Sequence, residues 1–292
     1  MISIWLRAVR IRFLLASVIA VSNGLALAFW KYGQFNFFYA ILTYMGVICL
    51  HISIDLLNDY WDYKRGIDQL TKKTGYSGGT GILPENILRP KNVYTAGIIF
   101  LLLGSSIGAY FVILRGITIA IILGFAIFAI YFYSTSIVNA GLGELFVAIK
   151  GCMIVLGTFY IQTGVIESAP FYIGSIIGIL SATVLFINSF PDHDADRSKG
   201  RRTLVIILGR QKASKIFPLL IIITYTLIIV GIFFGYTKIY SLLCFASIPY
   251  ATKAIKQLVK YYDKIDKLIP AMAAAVKYSR IFGFVLAISL LL

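Results

Sequence analysis

The amino-acid sequence predicts an all-α, polytopic transmembrane helical bundle of about nine helices, and three observations lead to that fold class. The chain of 292 residues is 59% hydrophobic and only 13% charged, whereas about a quarter of the residues in a typical soluble domain are charged. Its mean hydropathy is +0.87. Apolar runs that are long enough to cross a bilayer recur along the whole length. These features exclude a soluble globular domain.

The apolar runs locate the individual spans. The first run resembles a signal peptide because basic residues precede it, but it continues to Trp30 without a clear small-residue cleavage site, so we expect a retained helix. Lys277 and Arg280 leave open whether the last span starts near residue 270 or near Tyr278. The expected spans are 13–30, 36–57, 93–113, 117–134, 141–163, 170–190, 213–234, 238–255 and 270–292.

The net charge of +15 reflects topology, because its distribution follows the spans. If the N-terminus is cytoplasmic, the loops on the other side carry only Lys31, Arg115 and Lys238, and most remaining basic residues fall on the cytoplasmic side. This asymmetry is the positive-inside rule. We therefore expect a multi-pass protein of the cell membrane with its C-terminus outside and no nucleic-acid partner. The three scattered cysteines and two histidines favour neither a disulfide framework nor a zinc site.

Two long cytoplasmic segments, 58–92 and 191–212, organise the chain. Each follows an even-numbered span and begins with an Asn/Asp cluster trailed by bases, and the two clusters start about 130 residues apart. This predicts one domain, 1–292, with two pseudo-repeats (about 1–140 and 141–260) and a last helix. The segments are expected to form a cytoplasmic cap over a polar cavity.

The two clusters, "NDYWDYKRGID" (58–68) and "NSFPDHDADRSKGRR" (188–202), concentrate acids that an apolar chain otherwise avoids. At helical spacing, side chains three or four residues apart share one face. One such face holds Asp55, Asn58, Asp59 and Asp62, and the other holds Asn188, Asp192 and Asp196, while Asp194 points away. Crowded carboxylates repel one another unless a cation lies between them, and oxygen ligands favour Mg²⁺. Pro191 predicts a bend or a helix start at the second cluster.

Bases follow both clusters, and acids with bases suit an Mg²⁺-bound diphosphate. Three functions remain open at this point: an enzyme that ionises a lipid diphosphate, a cation-coupled transporter, and a membrane scaffold with acidic loops. A transporter site is expected nearer the middle of the membrane, whereas these acids lie at the cytoplasmic ends of spans. A scaffold explains neither the spacing of the acids nor their pairing.

The two motifs resemble those of the UbiA superfamily of intramembrane prenyltransferases. The first motif, with Asp68 after Gly66-Ile67, and the run from Gly200 to Leu204 are most similar to the 1,4-dihydroxy-2-naphthoate polyprenyltransferase branch. "RAVRIRFLLAS", "GLGELFVAIKG" and "GTFYIQTG" are also similar to that branch, so the resemblance covers essentially the whole chain.

The resemblance implies Mg²⁺-dependent transfer of a polyprenyl group from an isoprenyl diphosphate to an aromatic acceptor, with the lipid tail in a tunnel opening to the bilayer. In that branch the acceptor is 1,4-dihydroxy-2-naphthoate, it loses CO₂, and the product leads to menaquinone. Other acceptors in the superfamily are 4-hydroxybenzoate, haem, a chlorophyllide and geranylgeranylglyceryl phosphate.

The resemblance also assigns roles to residues. The metal ligands would be Asn58, Asp59, Asp62, Asp192 and Asp196. The catalytic carboxylates would be Asp62, Asp68, Asp192 and Asp196, and the diphosphate would be bound by Arg10, Arg12, Lys64, Arg65, Lys199 and Arg201. Tyr131, Tyr133 and Asn188 would lie near the carbocation and acceptor, with an interfacial aromatic belt as the alternative explanation for the tyrosines.

Two features depart from the family pattern. Asp55 stands where the family often has a neutral residue, and "STSIVNA" (134–140) lacks a lysine that many members have for the diphosphate. Lys150 lies further along, within an expected span. An ion there is a functional hypothesis in itself, and its expected partner is Glu144 or the ligand.

Overall fold

The computed structural model describes residues 2–292, and every regular element in that range is helical. Most of the helices are long and apolar, as the sequence predicts. The α-helices are α1 (Ile2–Ala8), α2 (Ile11–Tyr32), α3 (Phe37–Lys64), α4 (Pro90–Arg115), α5 (Ile117–Phe132), α6 (Gly143–Thr163), α7 (Ser168–Ser198), α8 (Leu204–Leu208), α9 (Arg210–Phe233), α10 (Ile248–Tyr261) and α11 (Ile265–Leu291). A π-helical turn, Tyr133–Ile137, follows α5, and a 3-10 helix, Ile239–Ser247, precedes α10.

Eight helices are long and apolar enough to cross a membrane: α2, α3, α4, α5 with its π turn, α6, α7, α9 and α11. The chain is therefore a multi-pass membrane protein, and the predicted all-α fold class is confirmed. At residues 238–255 the structure differs from the prediction of one continuous span, because this region consists of the 3-10 helix followed by α10. Pro249 lies in the first turn of α10, and the helix is amphipathic, with Lys253, Lys256 and Lys260 on its exposed surface.

The last helix is continuous from Ile265 to Leu291, so the earlier of the two possible starting points is right. Lys277 and Arg280 therefore lie within the helix, Lys277 exposed and Arg280 partly buried. The Lys277 ammonium lies 5.8 Å from the ring centre of Tyr250, and Arg280 donates a hydrogen bond of 2.5 Å to the carbonyl of Arg12. Helix α7 likewise continues through Pro191 and does not start there.

Helices α6 and α7 pack closely because glycines line their contact. A Cβ atom at Gly178 would lie 2.1 Å from the carbonyl oxygen of Ala148, and one at Gly151 would lie 2.7 Å from the Cα of Gly178. Small residues let helix backbones approach one another in a membrane, where van der Waals packing drives association. This contact sets the position of α7, which carries the second acid cluster.

The ends of α3 are set by local chemistry. Asn36 caps the helix, since its side chain accepts a hydrogen bond of 3.0 Å from the Tyr39 N–H. Gln162 at the end of α6 accepts from the Asn36 N–H at 2.7 Å, so the starting end of α3 is attached to α6. At its other end, α3 brings the first acid cluster level with the second cluster on α7.

A cap covers the end of the bundle where α3 and α7 finish. It consists of residues 65–89 and 199–209, and ion pairs hold the first of these segments to its neighbours. Lys72 pairs with Asp266 at 2.6 Å, and Arg7 and Lys73 pair with Glu85 at 2.6 and 2.8 Å. The hydrogen bonds from Arg7 and Lys73 lower the pKa of Glu85 to about 2. The cap predicted from the sequence is therefore present.

We expect Gly178→Ala to destabilise the protein, because the added methyl group overlaps the backbone of α6. Overpacking of a tight contact costs about 1–3 kcal/mol. Thermal unfolding in detergent measures the change. Gly124→Ala in α5 is the matched control, since a Cβ there meets no atom within 4 Å. Equal melting temperatures for Gly178→Ala and the control would contradict this account of the α6–α7 contact.

Candidate functional site

A polar cavity of about 260 Å³ lies beneath the cap, between the ends of α3 and α7. Residues of both acid clusters line it, as the sequence predicts. From the first cluster and the loop after it, the lining includes Asn58, Asp62 and Asp68; from the second it includes Asn188, Asp192 and Asp196. The two motifs, far apart in sequence, thus form the walls of one site.

On α3, the predicted face of acids is divided between two environments. Asp55, Asn58 and Asp62 line the cavity, but Asp59 is turned aside and accepts hydrogen bonds from Arg10 and Thr80. Asn58 accepts a hydrogen bond from Ser134. Ser134 belongs to the π turn after α5, and such turns are often found at functional sites.

On α7, the three predicted residues face the cavity and Asp194 does not. Asp194 is 72% exposed and accepts a hydrogen bond of 3.0 Å from Arg210. Asp192 accepts a bond of 3.3 Å from the backbone N–H of Gly78 in the cap. The second cluster is therefore in direct contact with the segment that closes the site.

Arg201 joins the two clusters. Its guanidinium donates to the carboxylate of Asp62 and, at 3.1 Å, to Asp196. All three side chains are 90% buried or more. Burial by itself would lower the pKa of Arg201, but the charges of Asp62 and Asp196 outweigh it and raise the pKa above its ordinary value. The cation is thus permanently present between the clusters.

Arg10 is the second cation of the site. It lines the cavity and donates to Asp59. Burial opposes its charge, yet the attraction of Asp59 and Asp55 raises the pKa of Arg10 above its ordinary value. Arg10 and Arg201 therefore place two fixed positive charges against the carboxylates.

Asp68 lies in the cap, close to the backbone of Gly79. A Cβ atom at Gly79 would lie 2.9 Å from the Asp68 carboxylate, so only glycine fits there without displacing the acid. Burial, and then repulsion from Asp62 and Asp59, raise the pKa of Asp68 to about 8. The raised pKa favours the protonated carboxyl group, which can donate a hydrogen bond.

The oxygen atoms of the site suit a hard divalent cation such as Mg²⁺. The Oδ1 atoms of Asn188 and Asp192 and Oδ2 of Asp55 are buried without a hydrogen-bond partner. Oxygen donors of this kind favour Mg²⁺. Within residues 2–292, no three His, Cys, Asp or Glu side chains are already grouped as metal ligands, because Arg10 and Arg201 occupy several of the carboxylates.

Four predicted diphosphate ligands do not line the cavity. Arg12 lies in an adjoining surface groove of about 390 Å³, which shares Arg10 and Tyr76 with the cavity. The Lys64 ammonium lies 5.4 Å from the ring centre of Trp61. Arg65 donates to the carbonyls of Ser134 and Lys199 at 2.7 and 2.9 Å, so it fastens the cap. Lys199 itself is exposed.

The two predicted tyrosines separate. Tyr133 lines the cavity, whereas Tyr131 is 39% exposed on the outside of α5. Residues two apart on a helix point in nearly opposite directions, because each residue turns by about 100°. Tyr131 therefore fits the alternative explanation, an interfacial aromatic residue.

Other residues that the sequence did not assign to the site also line the cavity, among them His51, Arg280 and Lys150, the last of which the sequence marked only as an ion within a span. His51 and Lys150 line the polar cavity and also a second, apolar cavity of about 140 Å³ between α3, α4, α5 and α6, so the two cavities adjoin. The expected pairing of Lys150 with Glu144 is absent, since Glu144 accepts from the Leu204 N–H at 3.0 Å. The sequence signal for His51 is its position four residues before Asp55, on the same helix face.

Comparisons with known proteins agree with this arrangement. Residues 16–275 match the UbiA prenyltransferase family. The chain is 27% identical to the 1,4-dihydroxy-2-naphthoate octaprenyltransferase of Bacillus subtilis, over 96% of this chain and 89% of that protein. It is 24% identical to the 2-carboxy-1,4-naphthoquinone phytyltransferase of Synechocystis, over 97% and 92% of the two chains.

Solved structures show the same fold. A UbiA homologue from Aeropyrum pernix, in its apo form, superposes with a TM-score of 0.69 at 16% identity, over 91% of this chain and 95% of that one. A UbiA homologue from Archaeoglobus fulgidus bound to GPP and Mg²⁺ gives a TM-score of 0.63 at 15% identity, over 97% and 99%.

We expect Arg201→Gln to destabilise the metal-free protein by about 3–5 kcal/mol, because two buried carboxylates lose their shared counter-charge. Adding Asp62→Asn on the same background should restore much of the loss. Thermal unfolding in EDTA measures both effects. Arg197→Gln is the matched control, since Arg197 is exposed near the end of α7, four residues before Arg201. A melting temperature equal to that of the control would show that the bridge contributes nothing.

Proposed function

The chain belongs to the UbiA prenyltransferase family, and we propose that it transfers a polyprenyl group from an isoprenyl diphosphate to 1,4-dihydroxy-2-naphthoate, with Mg²⁺, in menaquinone biosynthesis. The observation that carries the proposal is the pair of adjoining cavities. One is polar, walled by two acid clusters with three arginines (Arg10, Arg201 and Arg280), and the other is apolar. A lipid diphosphate has a polar and an apolar part in the same arrangement.

The polar cavity suits the diphosphate. Asn58, Asp62, Asp192 and Asp196 would hold Mg²⁺, while Asp59 holds Arg10 in place. When bound, the metal neutralises charge on the leaving diphosphate. The GPP- and Mg²⁺-bound structure of the Archaeoglobus homologue supports this class of ligand for the fold.

Arg10 and Arg201 would stabilise the negative charge that develops as the bond between the prenyl carbon and the diphosphate oxygen breaks. Fixed cations are most effective where water is excluded, and the cap covers the cavity. Asp68 lines the same cavity and, in its protonated form, would donate a hydrogen bond to a diphosphate oxygen. Tyr133 presents an aromatic ring to the cavity, and such a ring attracts a carbocation.

The apolar cavity would hold the first part of the prenyl chain. It is lined by residues such as Leu42, Ile107, Phe111 and Leu123. The acceptor ring then meets the allylic carbon where the two cavities adjoin, a carbon–carbon bond forms, and the ring loses its carboxyl group as CO₂. The names of the Bacillus and Synechocystis relatives support a naphthoate-type acceptor.

The orientation follows from the basic residues. We propose that the capped end, with the N-terminus, faces the cytoplasm, because the loops at that end carry most of the lysines and arginines. The water-soluble acceptor would then reach the site from the cytoplasm, and the lipid product would leave into the bilayer.

We expect the purified protein in detergent to prenylate 1,4-dihydroxy-2-naphthoate from geranylgeranyl diphosphate with Mg²⁺, and EDTA to abolish the reaction. Asp62→Asn and Asp192→Asn should each lower the rate at least 100-fold, because each removes a metal-binding charge. Asp194→Asn is the matched control and should keep near wild-type activity, since Asp194 is exposed. Product with 4-hydroxybenzoate or geranylgeranylglyceryl phosphate alone would refute the naphthoate assignment. If folded protein released no diphosphate with any of these acceptors, the transferase proposal would be refuted.

We expect Ala126→Phe to shift the donor preference toward shorter chains, because Ala126 lines the apolar cavity and the larger ring would fill part of it. The ratio of kcat/KM for geranyl to geranylgeranyl diphosphate should rise about 10-fold, as expected when a pocket excludes a substrate of excess length. The geranyl donor serves as the internal control for folding. An unchanged ratio would show that the tail lies elsewhere.

A further inference from the structure

Lys150 lies where the polar and apolar cavities adjoin, and we propose that it binds the carboxylate of the aromatic acceptor, with His51 and Asp55 positioned beside it. Lys150 and His51 line both cavities, whereas Asp62, Asp192 and Asp196 line the polar cavity alone. The inference rests on the proposed function, because it takes the diphosphate to be at the acid clusters and the tail to be in the apolar cavity.

The surroundings of Lys150 leave its hydrogen-bonding positions free. In residues 2–292, its ammonium has no ion pair within 4 Å and no hydrogen bond, although Asp55 and His51 line the same cavity. An ion inside a membrane bundle is costly without a partner and marks a functional site. The ammonium donors of Lys150 therefore remain available to a ligand.

His51 and Asp55 form a fixed support next to this cation. The Nδ1 atom of His51 lies 2.7 Å from the hydroxyl of Ser17, and Nε2 lies 3.8 Å from Oδ2 of Asp55. Arg10 also attracts Asp55. Unlike the Arg10 guanidinium, which is paired with Asp59, the Lys150 ammonium has no hydrogen-bonded carboxylate in the described part of the chain, so it can bind an anionic ligand.

The position of Lys150 selects the acceptor over the diphosphate. The carbon that is transferred lies between the diphosphate and the tail, so it must lie near the junction of the two cavities. The acceptor ring has to reach that carbon in order to react. A cation at the junction therefore contacts the acceptor. A hydroxylated aromatic acid offers a carboxylate, which forms charge-assisted hydrogen bonds with an ammonium.

The test compares two unreactive probes, 1-hydroxy-2-naphthoate and 1-naphthol, which differ by the carboxylate. Their binding is measured by naphthol fluorescence. Their competition with the acceptor is measured in the transfer assay. We expect Lys150→Met to weaken binding of 1-hydroxy-2-naphthoate about 10- to 100-fold, as for the loss of a charged hydrogen bond. Binding of 1-naphthol should not change. Lys150→Arg should retain the preference for the acid. The KM for geranylgeranyl diphosphate should not change.

Lys277→Met is the matched control, because Lys277 is also a mid-helix lysine but lies outside the cavities. Equal affinity for the acid in wild type and Lys150→Met, or a raised KM for the diphosphate in Lys150→Met, would overturn the inference. The proposed function would still stand in that case if the wild type transfers the prenyl group. Tight, Lys150-dependent binding of the acid without transfer to any naphthoate would refute the proposed acceptor and support the anion site. Failure of the wild type to bind the acid would refute both.

Discussion

The contact on which the site depends is the bridge from Arg201 to Asp62 and Asp196, which joins carboxylates from helices that are far apart in sequence. Asp62 comes from α3, Asp196 from α7, and Arg201 from the cap that closes over them. Two carboxylates brought together in a buried place repel each other. The shared guanidinium offsets that repulsion, so both helix ends can lie against the same cavity.

Contacts elsewhere in the bundle hold these charged side chains in position. Glycines at the α6–α7 contact set the position of α7, and Asn36 with Gln162 attaches the starting end of α3. The cap is held by separate ion pairs at its edge and by Arg65 beneath it. The arginines that neutralise the carboxylates also provide the positive charge that a departing diphosphate requires. One set of contacts therefore serves the stability of the site and its proposed chemistry.

The sequence was informative where periodicity decides the outcome. Apolar runs predicted the long helices, and spacings of three and four predicted the faces of Asp62 and Asp192 and the outward direction of Asp194. It was less informative for bases in and near loops. Arg10 and Arg201 face the cavity whereas Lys64 and Lys199 do not, because the fold of a connecting segment depends on tertiary contacts. His51 and Lys150 were missed as a pair because they lie on different helices, and only the packing of α3 near α6 brings them to one cavity.

The two acid clusters are proposed to form one metal and diphosphate site. The most direct test counts the Mn²⁺ ions bound by the purified protein, with and without geranylgeranyl thiolodiphosphate, a donor that ionises very slowly. We predict two ions per chain when the donor analogue is present, and the loss of at least one in Asp62→Asn and in Asp192→Asn. Uptake that is independent of the analogue, or that is unchanged in both variants, would contradict the account.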